Sequence, residues 1–112
     1  MTTIWHNPRC SKSRATLAIV EESGPVTIRK YLEDAPSEDE IREVLKALDI
    51  PAIKLMRTGE AEFKELGLSK TDSDDVLIKA MAKAPKLIER PVVITDKGVR
   101  IGRPPESVRE VL

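Results

Sequence analysis

Hydrophobic and polar positions along the chain follow two repeats, one typical of strands and one typical of helices. Four short segments are rich in β-branched residues and predict strands: TTIW (2–5), VTIRKYL (26–32), PVVIT (91–95) and VRIG (99–102). Four longer or capped segments predict helices: SKSRATLAIVEES (11–23), APSEDEIREVLKALDI (35–50), DDVLIKAMAKA (74–84) and PPESVREVL (104–112). Residues 52–68 predict only short helical pieces.

Local signals fix where several of these elements begin and end. Ser37 and Glu40 have the spacing of a capping box, in which each side chain bonds a free backbone N–H at a helix start. Gly24 marks the end of the first helix and Pro85 the end of the helix over 74–84. Gly98 lies in a DKG turn and predicts a hairpin between the last two strands.

The order of elements is βαβ, then a helical block, then a ββ hairpin and a final helix. Two strands joined through a helix are expected to be parallel, and a hairpin is antiparallel. The sequence therefore predicts an α/β protein: a thioredoxin-like mixed four-stranded sheet with a helical insertion between the βαβ unit and the C-terminal ββα unit. With 112 residues, the chain is expected to be a single domain over 1–112.

Charge and composition narrow the classes of partner. The chain has 19 basic and 19 acidic residues and three aromatic residues, so neither a basic field nor a row of stacking aromatics favours nucleic acid. No apolar run approaches the roughly 18 residues needed to cross a membrane, and no signal peptide is recognised at the start. A single cysteine cannot form an internal disulfide. These features predict a cytoplasmic protein without a membrane or nucleic-acid partner.

The segment HNPRCSKSR (6–14) holds the only histidine and the only cysteine of the chain, among three basic residues. If the first helix starts at or just after Cys10, the helix N-terminus stabilises a thiolate and lowers its pKa below about 8.5. Arg9, Lys12, Arg14 and His6 are expected to act in the same direction. The same N–H groups form an anion site. The alternative is a buried cysteine that fills the core, which the preceding proline and the polar, basic helical turn argue against.

Several familiar chemistries do not fit this segment. Position 13 is serine, so the Cys-x-x-Cys motif of a disulfide oxidoreductase is incomplete, and Thr16 stands where a Cys-x₅-Arg phosphatase loop needs arginine. One histidine and one cysteine are a poor start for a zinc site, and no metal is predicted. The chain has neither a phosphate-binding loop nor GxGxxG.

Four separated motifs, HNPRCSKSR (6–14), LMRTGE (55–60), ERPVV (89–93) and RIGRPPE (100–106), resemble the glutaredoxin-linked arsenate reductase family, ArsC. Within that family the chain is similar to the short bacterial members of the YfgD type. The resemblance implies an oxidoreductase that reduces arsenate to arsenite, with no bound cofactor, glutathione as the external reductant and glutaredoxin as a partner.

The resemblance also implies a role for particular residues. Cys10 matches the cysteine that forms a covalent adduct with arsenate. His6 matches a histidine that helps to keep this cysteine ionised, and Ser13 matches a serine that supports the thiolate. Three arginines match those that hold the oxyanion: Arg57, Arg90 and Arg103. In thioredoxin-type folds a cis proline precedes the third strand opposite the nucleophile, which predicts a cis Arg90–Pro91 bond with Arg90 directed towards Cys10.

The residue types alone support part of the mechanism that the resemblance implies. A protein with one cysteine cannot resolve its own oxidised intermediate, so a second thiol must come from outside. Guanidinium groups offer forks of donors that suit a tetrahedral oxyanion. Two alternatives stay open: a regulatory protein resembling Spx, which shares the fold, and a thiol-dependent reductase of another substrate. Ser13 and the three arginines favour the reductase over the Spx type.

Overall fold

The computed structural model describes residues 2–112. It contains two compact units. The first consists of the N-terminal part of the chain up to Asp34 together with Arg90–Leu112, and the second is Ala35–Glu89. All four strands belong to the first unit, and the second is the helical insertion that the sequence predicts. No helix in residues 2–112 is long and apolar enough to cross a membrane.

The four strands of the first unit form one mixed sheet. They are β1 (Thr2–Trp5), β2 (Val26–Arg29), β3 (Val92–Thr95) and β4 (Gly98–Ile101). Their order is β2-β1-β3-β4. β1 is parallel to β2 and antiparallel to β3, and β3 and β4 form an antiparallel hairpin. The predicted thioredoxin-like sheet is confirmed, and it places the end of β1 beside the start of β3.

Helix α1 (Ser11–Glu22) follows β1 after a loop over residues 6–10 and packs on the sheet through a shared core. Its buried Val20 belongs to the core of this unit. The buried members of that core are Ile4, Val20, Val93, Val108 and Val111. Beyond the C-cap Ser23, Gly24 takes φ +137°, a conformation that L side chains rarely adopt, so the predicted glycine stop is confirmed.

β2 is shorter than the sequence pattern predicts. The strand ends at Arg29 instead of continuing to residue 32, and the N–H groups of Glu33 and Asp34 turn back onto the carbonyl of Lys30. The reason lies in its neighbour: β1 ends at Trp5, and the last bond to β2 is His6 N–H to the Arg29 carbonyl (2.8 Å). Beyond that point β2 has no ladder partner on β1.

The second unit contains helices α2 (Glu38–Leu48), α3 (Ala61–Glu65) and α4 (Asp74–Lys83) and two short 3₁₀ segments, Ala52–Leu55 and Pro85–Leu87. The predicted capping box at α2 is present: the N–H of Glu40 donates to Ser37 Oγ, and the Glu40 carboxylate accepts from the N–H of Ser37. α2 ends at Leu48, with Asp49 in the left-handed conformation as its C-cap, two residues before Pro51.

The C-terminal segment Pro105–Val111 is a 3₁₀ helix, not the α-helix that the pattern predicts. An α-helical turn would bond groups four residues apart, and the two prolines at the start of the segment are tolerated by either helix type, because the first N–H groups of a helix are unpaired. The first bond is instead from Ser107 N–H to the Pro104 carbonyl, three residues back (3.0 Å). The Arg90–Pro91 bond is cis, as predicted, and Arg103–Pro104, which the sequence did not single out, is cis as well.

Candidate active site

Cys10 is the N-cap of α1 and joins it to the loop that leaves β1. Its backbone is extended (φ −96°, ψ 123°), and its carbonyl accepts from the N–H of Arg14, which closes the first helical turn (3.0 Å). Its side chain is half-buried. The sulfur is therefore held at the N-terminus of a 12-residue helix and stays accessible.

The loop that presents Cys10 is fixed by its own hydrogen bonds. The carbonyl of Asn7 accepts from the N–H of Cys10, and its side-chain Oδ1 accepts from the N–H of Arg9, each at 3.0 Å. Arg14 Nη1 donates to the carbonyl of Pro8 (2.9 Å). Sequence reasoning did not single out Asn7, although an Asn-Pro pair is a known turn signal.

One of the predicted arginines lies at the sulfur, and a second acts on the thiol through its charge. Arg103 follows β4, and its Nη2 lies 3.8 Å from Cys10 Sγ. The Nε–H of the same guanidinium donates to the carbonyl of Arg90 (2.8 Å). Arg90 ends the segment that leads into β3, and its positive charge acts on the Cys10 thiol. The ends of β1 and β4 thus bring the nucleophile and the Arg103 guanidinium together, and the segment before β3 adds the charge of Arg90.

The balance of these effects lowers the pKa of Cys10. Partial burial is the largest single effect and raises the pKa of the thiol. Four smaller effects together outweigh it: the backbone N–H groups of Ser13 and Lys12 and the charges of Arg90 and Arg103. The net pKa of the Cys10 thiol therefore lies below its ordinary value, as the sequence predicts.

His6 and Ser13 form a buried polar pair beneath this loop. His6 Nδ1 lies 2.7 Å from Ser13 Oγ, and the N–H of Asn7 donates to the same Oγ (3.0 Å). The side chain of Ser13 is fully buried and His6 is 5% exposed. Burial lowers the pKa of His6, and the charges of Lys30 and Arg14 lower it further against a weaker opposing effect of Glu21. In a neutral ring, Nδ1 can accept a hydrogen bond from the Ser13 hydroxyl.

This arrangement corrects one expectation about the electrostatics of the thiol. His6 was expected to add positive charge beside Cys10, but its lowered pKa keeps the ring neutral near pH 7. The side chains that act on the thiol through their charge are Arg90 and Arg103, distant in sequence. Ser13 acts on the sulfur through its backbone N–H, while its hydroxyl bonds His6 and Asn7.

Arg57 belongs to the second unit. It follows the 3₁₀ segment Ala52–Leu55, and its N–H donates to the carbonyl of Leu87 (2.8 Å). Its guanidinium pairs with Glu60 (2.6 Å), whose other carboxylate oxygen lies 3.8 Å from Lys86 Nζ. Arg57 and Glu60 are the R and E of the LMRTGE motif, so this motif has a structural basis of its own: the carboxylate holds the guanidinium in place.

Comparison with known proteins assigns the family. The model of the ArsC family matches residues 5–111, almost the whole chain. This chain belongs to the ArsC family. The resemblance that four short motifs suggested is confirmed over the full βαβ, insertion and ββ order.

Individual relatives agree with this assignment. The chain is 46% identical to the protein YfgD of Escherichia coli K12, over 97% of this chain and 94% of that protein. It is 44% identical to a protein of Haemophilus influenzae named arsenate reductase, over 97% of both chains. Among solved structures, the arsenate reductase from Vibrio cholerae superimposes with a TM-score of 0.93 at 46% identity, covering 99% of this chain and 97% of that one.

Proposed function

We propose that this protein is an arsenate reductase that uses Cys10 as its nucleophile and glutathione and glutaredoxin as external reductants. The observation that carries the proposal is Arg103 Nη2 at 3.8 Å from Cys10 Sγ, at the N-terminus of α1. In a chain of the ArsC family, this puts a stabilised thiolate and an anion-binding guanidinium side by side.

In the first step the thiolate of Cys10 attacks the arsenic atom of arsenate and displaces one oxygen as water after protonation. The arsenic stays in its +5 state in the resulting S–As adduct. Arg90 and Arg103 donate to the remaining oxygens, and Arg57 is the third guanidinium proposed for the anion. Arginine suits this work because its donors form a planar fork and its charge persists at all relevant pH values.

Reduction to arsenite needs two electrons, and the chain has only one thiol to offer. We assign both electrons to two external thiols, which leave as one disulfide while arsenic passes from +5 to +3 and arsenite is released. Glutathione displaces a second oxygen of the adduct as water and forms a second S–As bond. The glutaredoxin thiolate then attacks the glutathione sulfur, so that the glutathione–glutaredoxin disulfide leaves and the electron pair of that S–As bond stays on arsenic. Water finally displaces the sulfur of Cys10 from arsenic in its +3 state, which releases arsenite and the free thiol. No further group is needed, so we propose no bound cofactor. The cytoplasm suits this chemistry because it keeps thiols reduced.

The contacts of the buried pair, His6 and Ser13, indicate its role. Ser13 and His6 do not face the anion as charged groups; they fix the loop that carries Asn7 and Cys10. We therefore assign them to positioning the thiolate and the N–H groups beneath it. This differs from direct proton transfer by His6, because its lowered pKa leaves the ring mostly without the extra proton near pH 7.

The test is arsenite formation by the purified protein with glutathione and glutaredoxin, beside Cys10→Ser, which keeps the size of the side chain. Arsenite from the parent and none from Cys10→Ser supports the proposal. No arsenite from the parent overturns it and leaves a different substrate, such as a glutathione mixed disulfide, to be assayed. An equal rate when glutaredoxin is omitted overturns the part assigned to glutaredoxin.

A further inference from the structure

Gly102, at the end of β4, is packed too tightly for any side chain. A Cβ atom at this position would lie 2.5 Å from Thr16 Oγ1 and 2.8 Å from Pro91 Cγ, closer than real Cβ atoms approach their neighbours. The glycine is buried and its φ is not in the positive region, so conformational freedom does not explain it. A glycine is therefore needed at this position because no side chain fits, not because of its backbone conformation.

The two neighbours of Gly102 belong to the elements that build the thiol site. Thr16 lies on α1, fully buried, and its Oγ1 donates to the carbonyl of Lys12 in the first turn (2.8 Å). Pro91 follows Arg90, and its carbonyl accepts from the N–H of Gly102 (2.9 Å). The end of β4 therefore lies against both the helix that holds the sulfur and the strand start that carries Arg90.

The next residue along the chain is Arg103. Its guanidinium reaches the Arg90 carbonyl at 2.8 Å and the sulfur of Cys10 at 3.8 Å. Both contacts depend on where the main chain leaves β4, since a guanidinium that bonds a fixed carbonyl through Nε has little freedom to compensate for a shifted backbone.

We propose that Gly102 is a positioning residue: its missing side chain lets the end of β4 lie against Thr16 and Pro91, and this close approach sets Arg103 over the sulfur of Cys10. Its functional meaning rests on the proposed function, in which Arg103 binds the oxyanion. Because Thr16 is fixed by its bond to Lys12 and by complete burial, an added methyl group at residue 102 displaces the end of β4 rather than α1.

Two readouts test the proposal on Gly102→Ala: the pH midpoint of Cys10 alkylation by iodoacetamide, and the dissociation constant for sulfate. We expect the midpoint to rise towards that of Arg103→Ala and the dissociation constant to rise by about threefold or more. Gly59→Ala is the matched control, since nothing lies within 4 Å of a Cβ at that glycine and its φ is not positive. It should leave the alkylation midpoint unchanged, and Arg100→Ala, on β4 but paired with Glu110, is the control for sulfate binding.

The double variant Gly102→Ala/Arg103→Ala separates positioning from packing. If Gly102 acts through Arg103, adding Gly102→Ala to Arg103→Ala should change the alkylation midpoint and the dissociation constant little beyond Arg103→Ala alone. Equal effects of Gly102→Ala with and without Arg103 overturn the proposal. So does a Gly102→Ala protein that is less stable but keeps the parent midpoint, because that is the result of packing alone.

If Gly102→Ala does not fold, Thr16→Ala/Gly102→Ala carries the same test. It removes the 2.5 Å contact and retains the 2.8 Å contact to Pro91. We expect its alkylation midpoint to lie above that of Thr16→Ala, and equal midpoints overturn the proposal. These measurements read the sulfur directly, so they distinguish a failure of this inference from a failure of arsenate reduction.

Discussion

The guanidinium of Arg103 lies 3.8 Å from the sulfur of Cys10, although 93 residues separate them in the sequence. The contact is made by the sheet, because β1 ends at the loop before Cys10 and β4 ends just before Arg103. The positive charge of Arg103 therefore stabilises the Cys10 thiolate although Arg103 does not belong to α1. The same guanidinium can also donate hydrogen bonds to a bound anion.

Replacing a site arginine should weaken anion binding more than it weakens folding. For Arg103→Ala we expect sulfate or arsenate to bind less tightly by about 1.5–3 kcal/mol, the range for hydrogen bonds to charged groups. Isothermal titration checks this. Arg100→Ala is the matched control, since Arg100 lies on β4 but pairs with Glu110 (2.9 Å). Equal losses for both variants would remove Arg103 from the anion site.

The role that the family resemblance implies for Arg57 is tested in the same way. Arg57→Ala should bind sulfate less tightly by a similar amount, about 1.5–3 kcal/mol, and should lower the rate of arsenite formation. Glu60→Gln, which keeps the size of the partner and removes its charge, should have a smaller effect on binding. An Arg57→Ala protein that binds and turns over like the parent excludes Arg57 from the substrate site.

Replacing Ser13 should lower the free energy of unfolding more than replacing an exposed serine does. Ser13→Ala leaves the half-buried Asn7 N–H without its acceptor and the buried His6 Nδ1 without its partner. An unsatisfied buried polar group costs about 1–3 kcal/mol, so the free energy of unfolding should fall by that amount. Ser11→Ala, an exposed residue of the same helical turn, is the control for urea unfolding. Equal losses for both variants would contradict the buried contacts.

Much of this molecule follows from local patterns. The capping box of Ser37 and Glu40 and the stop at Gly24 depend on neighbouring residues alone, and each was predictable. The end of β2 at Arg29 was not, because it is set by the length of β1, to which β2 pairs. The 3₁₀ geometry after Pro104 was also missed, since a periodic pattern over so few residues does not distinguish the two helix types.

The residues of the candidate site also differ in how far local sequence predicts them. Cys10 at a helix start was predictable from HNPRCSKSR, and the family resemblance supplied the arginines. The contacts of Ser13 were not predictable, because its hydroxyl lies against His6, across a turn whose geometry is set by Asn7 and Pro8. The close approach at Gly102 involves three elements distant in sequence, and no local signal carries it.

Stability should depend on pH through His6. Because its pKa is lower in the folded protein than the ordinary value near 6.5, the unfolded chain binds more protons below that pH. The free energy of unfolding should therefore fall as the pH drops from about 7 towards the lowered pKa. His6→Gln should flatten this dependence. As His6 is the only histidine, an NMR titration of its ring reports the shift directly.

A His6 ring that titrates at or above its ordinary pKa would contradict this account of the buried pair. It would show that the charged ring is tolerated next to Ser13, and that proton transfer by His6 must be considered again.

The most direct test of the whole account is the absorbance of the Cys10 thiolate at the ultraviolet edge, recorded against pH, with Cys10→Ser as the blank. The N–H groups of Ser13 and Lys12 and the charges of Arg90 and Arg103 predict a midpoint below about 8.5, the ordinary value of a free thiol. A midpoint at or above that value would show that burial dominates, and Cys10 would not be the nucleophile that this account requires.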